Sequence, residues 1–253
     1  MCSLSNSQHP QVNRYHCVRF HDFISNMLFF NSSLLGLALA SSVAAIDLPR
    51  PDGKYGTGLS QAMLVDHSRS DPFAAEAGIT HDRRLMISSF YPVTLREQCL
   101  DLPSPYMPEA TAAFIGAEYE AYGVPNNTFA SLDLISCKPR GRSSVRNKRF
   151  PTLLFSPGLG NSRLLYSSMA QSLASEGFNV ITIDHPYDAD IVEFEDGSTV
   201  LAADIDSDEQ ITAALDIRVQ DVSFVLDQLR LESTNKKLFG QRSCAKNQKY
   251  TMF

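Results

Sequence analysis

Apolar residues first gather in one block: residues 23–45 read FISNMLFFNSSLLGLALASSVAA, with no Lys, Arg, Asp or Glu. Beyond it the pattern breaks into short runs. Residues 59–66 (LSQAMLVD) and 84–91 (RLMISSFY) have strand character, with a polar turn at 68–72 between them and Pro92 stopping the second. Residues 97–136 carry four prolines and no clean period, which predicts a long excursion with one short helix near 109–119. From residue 150 onward strands and helices alternate. Residues 150–155 (FPTLLF) read as an apolar strand and 156–160 (SPGLG) as a tight turn. Ser162 suits the N-cap of a helix over 163–175, with Leu164, Leu165, Met169 and Leu173 on one face and Gly177 ending it. Residues 178–183 (FNVITI) form the next strand, closing at Asp184. A second amphipathic helix spans 211–231, with Ala214, Leu215, Val219, Val222, Val225, Leu226 and Leu229 on its broad apolar face. Residues 233–248 are polar and loop-like, and 250–253 (YTMF) open a further apolar strand. This order predicts an α/β fold, a mostly parallel sheet flanked by helices. A parallel strand needs a crossover partner, so the pattern also predicts that the domain is incomplete at Phe253.

Composition supports a globular chain: of 253 residues, 43% are hydrophobic and 20% charged. With 22 basic and 28 acidic residues, net −6, there is no global basic footprint for nucleic acid. Charge is uneven locally. Residues 138–149 hold six basic residues and no acid, a solvated linker or a patch for polyanions or lipid headgroups. Residues 184–209 hold ten acids and no Lys or Arg. Asp204, Asp206 and Asp208 imitate the start of a calcium loop, but its sixth position is Glu209 and its twelfth Leu215, so a solvated acidic loop is expected.

The apolar block is expected to be a secretory signal, with its centre at 34–40 and cleavage after Ala44 or Ala45. Asn26, Asn31 and five serines make it a poor membrane span. A start at Met27 gives a signal peptide over 27–45, an upstream extension over 1–26, and a mature chain over 46–253. Cys2 and Cys17 fall in the leader 1–45, leaving Cys99, Cys137 and Cys244. A disulfide between Cys99 and Cys137 would staple the excursion; buried free thiols fit equally well. Asn126-Asn127-Thr128 is a glycosylation sequon at Asn126 within it. Secretion to the extracellular space is the expectation.

Candidate chemistry is sparse. His67, His81 and His185 have no neighbours at metal-ligand spacing, so no metal site and no cofactor are expected. His185 follows a strand end, where α/β ligands collect, but a loop histidine explains it. Asp184 and Asp188 fit the acidic loop. Ser156 and Ser162 flank the SPGLG turn, and neither sits on a sharp elbow between small residues, so neither reads as a nucleophile. No G-x-S-x-G occurs.

The run LLFSPGLGNSRLLYSSMAQSLASEGFNVITIDH resembles the strand, oxyanion turn, helix and strand of α/β-hydrolases. Its nearest likeness is the platelet-activating-factor acetylhydrolase family, the plasma or isoform II kind: secreted esterases that remove short sn-2 acyl groups from phospholipids. YGTGLSQAMLVDHSRSDPF and RRLMISSFYPV look like its first two strands, LDIRVQDVSFVLDQL like the helix before the nucleophile strand, and KYTMF like that strand. The resemblance implies the N-terminal part of an α/β-hydrolase fold. It implies that the Leu159 backbone N–H forms half of the oxyanion hole, with Pro157 standing where the family often has His. It places the Ser, Asp and His of the triad beyond Phe253, so the chain as written is expected to be inactive. Phospholipid or small-ester substrates, contact with a lipid surface and no nucleic acid are the implied partners. Another carboxylesterase of dienelactone-hydrolase or cutinase type, or a non-catalytic truncated secreted protein, are the alternatives.

Overall fold

The computed structural model describes residues 45–76, 78–95, 99–139, 150–239 and 250–252, all within the unit Ser42–Phe253. Nearly all of the leader, most of the basic run at 138–149, Cys244 and Phe253 lie outside the described residues.

After the short β1 (Ile46–Asp47), the first two strand-like runs become a long antiparallel pair, β2 (Tyr55–Ser70) and β3 (Asp82–Leu95). A five-residue helix, α1 (Pro72–Glu76), begins their connection. Pro92 does not stop β3. It pairs with Thr57 beyond the last β3 contact on the other side, Phe90 with Val180. There β3 has a partner on one side only, and a missing N–H is tolerated.

The excursion is more regular than its sequence predicts. β4 (Cys99–Pro105) and β5 (Leu132–Pro139) pair antiparallel, and β1 joins β5 to make a small sheet of order β1-β5-β4. α2 (Glu109–Glu120) and α3 (Thr128–Ser131) lie between β4 and β5 in the chain. Pro103 and Pro105 hid β4 from view, and both sit on an outermost strand, where proline is admitted.

The later part alternates as its pattern requires. β6 (Thr152–Phe155) leads through the turn into a 3-10 turn (Arg163–Tyr166), then α4 (Ser167–Glu176) and β7 (Asn179–Asp184). The Ser162 side chain accepts the Leu164 N–H, and Gly177 caps α4 at φ 108°, a left-handed value that favours glycine. The tight opening turn shifts the helix phase, so α4 buries Ser167, Ala170, Gln171 and Ala174 while Met169 is half-buried. The acidic segment contains a hairpin, β8 (Ile191–Glu193) and β9 (Thr199–Leu201).

α5 (Asp208–Gln228) starts on a capping box formed by Ser207 and Gln210, with Asp208 and Glu209 in the first turn, where the helix dipole favours acids. Its inward face differs from the expected one. Ala214, Asp221, Val222 and Val225 are buried, whereas Leu215 and Val219 are 53% and 65% exposed. Polar residues hold inward positions on this helix. The expected loop at 233–248 begins instead as α6 (Glu232–Phe239), whose Asn235, Leu238 and Phe239 are buried. Its apolar residues come only at its end, too few to show a period.

With β10 (Tyr250–Met252) the main sheet has the order β10-β6-β7-β3-β2. β10, β6 and β7 run parallel; β3 and β2 are antiparallel to their neighbours. One face packs Leu85, Ile87, Ile181 and Ile183 against Val222 and Val225 of α5, its C-cap Leu229, and Leu238 and Phe239 of α6. The other packs Phe90 and Val180 against Ala170 and Ala174 of α4 and against Ala112 and Ile115 of α2. Each large side chain so buried contributes about 2 kcal/mol. Helices cover both faces, leaving the strand ends to carry chemistry.

Candidate active site

The turn after β6 lies at the carboxyl end of a parallel strand, where open α/β sheets place their ligands. Gly160 has φ 83°, and a Cβ there would lie 3.0 Å from Asp190 Oδ1. Its N–H donates to the Asp188 carbonyl and its own carbonyl accepts from the Asp190 N–H, both at 3.0 Å. Arg218 of α5 donates to the Pro157 carbonyl and grips the Asp188 carboxylate with Nε, at 2.7 Å, and Nη2. Asn161 closes the turn by donating its N–H to the Gly158 carbonyl. Among the described residues, the N–H groups of Gly158 and Leu159 have no partner. The Leu159 side chain is 46% exposed.

Beneath the turn runs a relay that sequence reasoning missed. Ser156 Oγ lies 2.9 Å from His185 Nε2, and His185 Nδ1 lies 2.9 Å from Asp221 Oδ2. Asp221 as a carboxylate can only accept, so in the neutral imidazole Nδ1 carries the proton and Nε2 accepts from the Ser156 hydroxyl. Arg83 donates to both oxygens of Asp221, and Arg69 donates to Oδ1 at 2.9 Å. Arg83 also reaches Asp71 and the Pro186 carbonyl. Burial pushes the Asp221 carboxyl up, but the hydrogen bonds from His185 and Arg83 and the Arg83 charge outweigh it and hold it at about 2. The Arg83 guanidinium is opposed by its own burial, yet Asp221 and Asp71 raise it further above its ordinary value.

A second buried charge pair supports the start of the following helix. Asp184 accepts from the Arg163 backbone and side chain and from Ser162 Oγ, and Arg163 Nε donates to Ser88 Oγ at 3.0 Å. The loop between Asp184 and β8 turns through Tyr187, a non-glycine residue at φ 70° whose ring stacks on Phe73 at 5.5 Å. This bend brings His185 and Asp188 back under the turn.

The residues singled out from sequence fall in separate places. Leu159 stands on the turn. Cys99 and Cys137 are bonded to each other in the β4–β5 sheet, and the bond packs so closely on Gly56 that a Cβ there would lie 1.9 Å from Cys99 Sγ. Asn126 is exposed in the connection between α2 and α3. His67 meets Asp82 at the surface, and His81 bonds the Asp82 carbonyl. The missed residues are Ser156, Arg83, Asp221 and Arg218, together with His185 read as a loop residue. One signal for them was present: Arg218 and Asp221 interrupt the inward spacing of Ala214, Val222, Val225 and Leu229.

An unpaired backbone N–H at a strand end, backed by anchored turns, can stabilise an oxyanion. The family model for platelet-activating factor acetylhydrolase, isoform II, matches residues 77–222. A protein of Arthroderma benhamiae named "Probable 1-alkyl-2-acetylglycerophosphocholine esterase" is 34% identical over 217 residues, covering 81% of this chain and 55% of that protein. A ferulic acid esterase from Streptomyces cinnamoneus superposes with a TM-score of 0.63 at 26% identity, over 83% of this chain and 54% of its own. The chain thus spans about half the length of both relatives. Its mixed sheet with helices on both faces is an α/β-hydrolase-like fold. The chain belongs to the platelet-activating factor acetylhydrolase, isoform II, family.

Proposed function

We propose that the protein is a secreted serine esterase that hydrolyses the sn-2 acetyl or short acyl ester of phospholipids. The observation that carries this reading is the Leu159 N–H, without a partner among the described residues, on the anchored turn after β6 and inside the segment that matches the family. In ester hydrolysis the carbonyl oxygen becomes an oxyanion as the tetrahedral intermediate forms, and a fixed N–H favours that state over the ester itself. Leu159 supplies one such donor. The 253 residues contain no G-x-S-x-G, so the nucleophile of this reading is sought in the length that the relatives have and this segment does not span.

Export is part of the proposal. It is supported by the apolar, charge-free run at 23–45, by the exposed sequon at Asn126, and by the Cys99–Cys137 bond, which persists in oxidising compartments. A broader carboxylesterase is the second reading, favoured by the superposition on a ferulic acid esterase.

The full-length gene product, expressed in a secreting eukaryotic host, decides between them. Hydrolysis of a 2-acetyl phospholipid well above that of a long-chain phospholipid or a feruloyl ester, blocked by a serine-reactive phosphonate, is expected. Preference for the feruloyl ester overturns the phospholipid reading, and no ester turnover overturns both. The 253-residue chain alone is expected to show no serine-dependent turnover. A glycan removed by the Asn126→Gln substitution is expected on secreted material, and intracellular retention of unglycosylated protein overturns export.

A further inference from the structure

α5 holds the turn at two points one helical turn apart. Arg218 reaches the Pro157 carbonyl directly, and Asp221 reaches the Ser156 hydroxyl through His185. The loop after β7 completes both contacts, His185 as the relay and Asp188 as the carboxylate gripping Arg218. The segment they secure needs outside support, because it contains two glycines, and Pro157 has no N–H to tie down. Among the described residues, every polar group tied in the turn is a carbonyl, a side chain or the N–H of Gly160 or Asn161, and the N–H groups of Gly158 and Leu159 have no partner.

We infer that Ser156, His185, Asp221 and Arg218 are positioning residues that aim the Leu159 N–H at the developing oxyanion. The inference rests on the esterase reading of the same turn. A relay with these two ring nitrogens is also how a serine nucleophile is activated. Three features favour a brace. Ser156 runs from a strand straight into Pro157, away from any strand-to-helix elbow. The Asp221 carboxylate answers Arg83 and Arg69 as well as His185. The imidazole is 2% exposed, sealed beneath the turn rather than open to a substrate. Donor placement matters steeply for rate, since a displacement of about 1 Å costs on the order of 100-fold.

The test uses the full-length gene product carrying S156A, S156T or R218Q, with active sites counted by a serine-reactive phosphonate and the adduct mapped by mass spectrometry. S156A and R218Q are expected to lower kcat per titrated site by about 10-fold to 100-fold, with KM within about twofold, because a donor bound only in the transition state is misplaced. S156T, which keeps the hydroxyl, is expected to restore most of the loss. Fewer titratable sites at unchanged kcat per site overturns the inference in favour of stability alone. An adduct on Ser156 overturns it in favour of a nucleophile. If the wild-type protein has no titratable serine and hydrolyses no ester, the esterase reading falls, and the brace is decided on the 253-residue chain by nuclear magnetic resonance. There S156A and R218Q are expected to move the Leu159 amide resonance, and an unmoved resonance overturns the brace.

Discussion

Arg83 on β3 and Asp221 on α5 face each other as a buried, two-pronged pair: Arg83 Nε and Nη2 donate to the two carboxylate oxygens at 3.2 and 2.8 Å, and neither side chain is more than 1% exposed. Neither charge can turn to water if the other is removed. Arg83→Gln is expected to destabilise the fold by about 3–5 kcal/mol, since it leaves Asp71 and Asp221 without their shared guanidinium. Urea unfolding measures it. A double-mutant cycle with Asp221→Asn is expected to show strong coupling; additive losses would mean the two side chains do not interact in solution.

The same pair sets a pH dependence. The folded Asp221 carboxyl titrates at about 2, below its ordinary 3.8. A group depressed on folding contributes stability that is complete above its unfolded value and lost as pH falls through the folded one. Asp221 therefore contributes about 2 kcal/mol at neutral pH, lost between about pH 4 and pH 2. Thermal melts over that window are expected to fall more steeply for wild type than for Asp221→Asn. Parallel curves would show that Asp221 is not the group responsible.

Gly160→Ala tests the turn. A side chain at φ 83° costs about 1–2 kcal/mol in backbone strain, and here the new methyl also meets Asp190 Oδ1 at 3.0 Å. A loss of that size in urea unfolding is expected. A neutral or stabilising effect would mean that the turn adopts another conformation.

The Cys99–Cys137 bond closes a loop with a sequence separation of 38, worth about 4 kcal/mol by loop-closure entropy. Its reduction, or Cys99→Ser with Cys137→Ser, is expected to loosen the β4–β5 sheet first, seen as faster hydrogen exchange over residues 99–139 than in the main sheet. Peptide mapping without reductant is expected to recover the two cysteines together. A Cys244 partner for either would overturn the pairing.

How much of this could be read from the chain depends on where the information lies. β6, α4 and β7 are legible because a strand, a tight turn, an N-cap serine and a C-terminal glycine are local signals within residues 150–184. β4 was obscured by Pro103 and Pro105, which report only that a strand is at an edge, a fact that needs its neighbours to be known. α6 has too few apolar residues to show a period. The turn with Leu159 was legible as a motif, but Ser156, His185 and Asp221 were not. Their separations of 29 and 36 residues carry no pattern, and they meet only because β6 and β7 lie side by side beneath α5. Hydropathy also misplaced the face of α5, because it scores Arg218 and Asp221 as outward and Leu215 and Val219 as inward.

That inversion on α5 bears on how such proteins can be recombined. A helix whose inward side chains are all apolar can be exchanged between relatives at a modest penalty. α5 carries two inward charges whose answers lie on β2, β3 and the loop after β7. With a parent that carries other residues at these positions, crossing over between residues 83 and 218 would separate donors from acceptors and strand buried charge in both daughters. Viable chimeras should inherit Arg69 through Asp221 from a single parent, so the charged brace, rather than the sheet, defines the smallest heritable block.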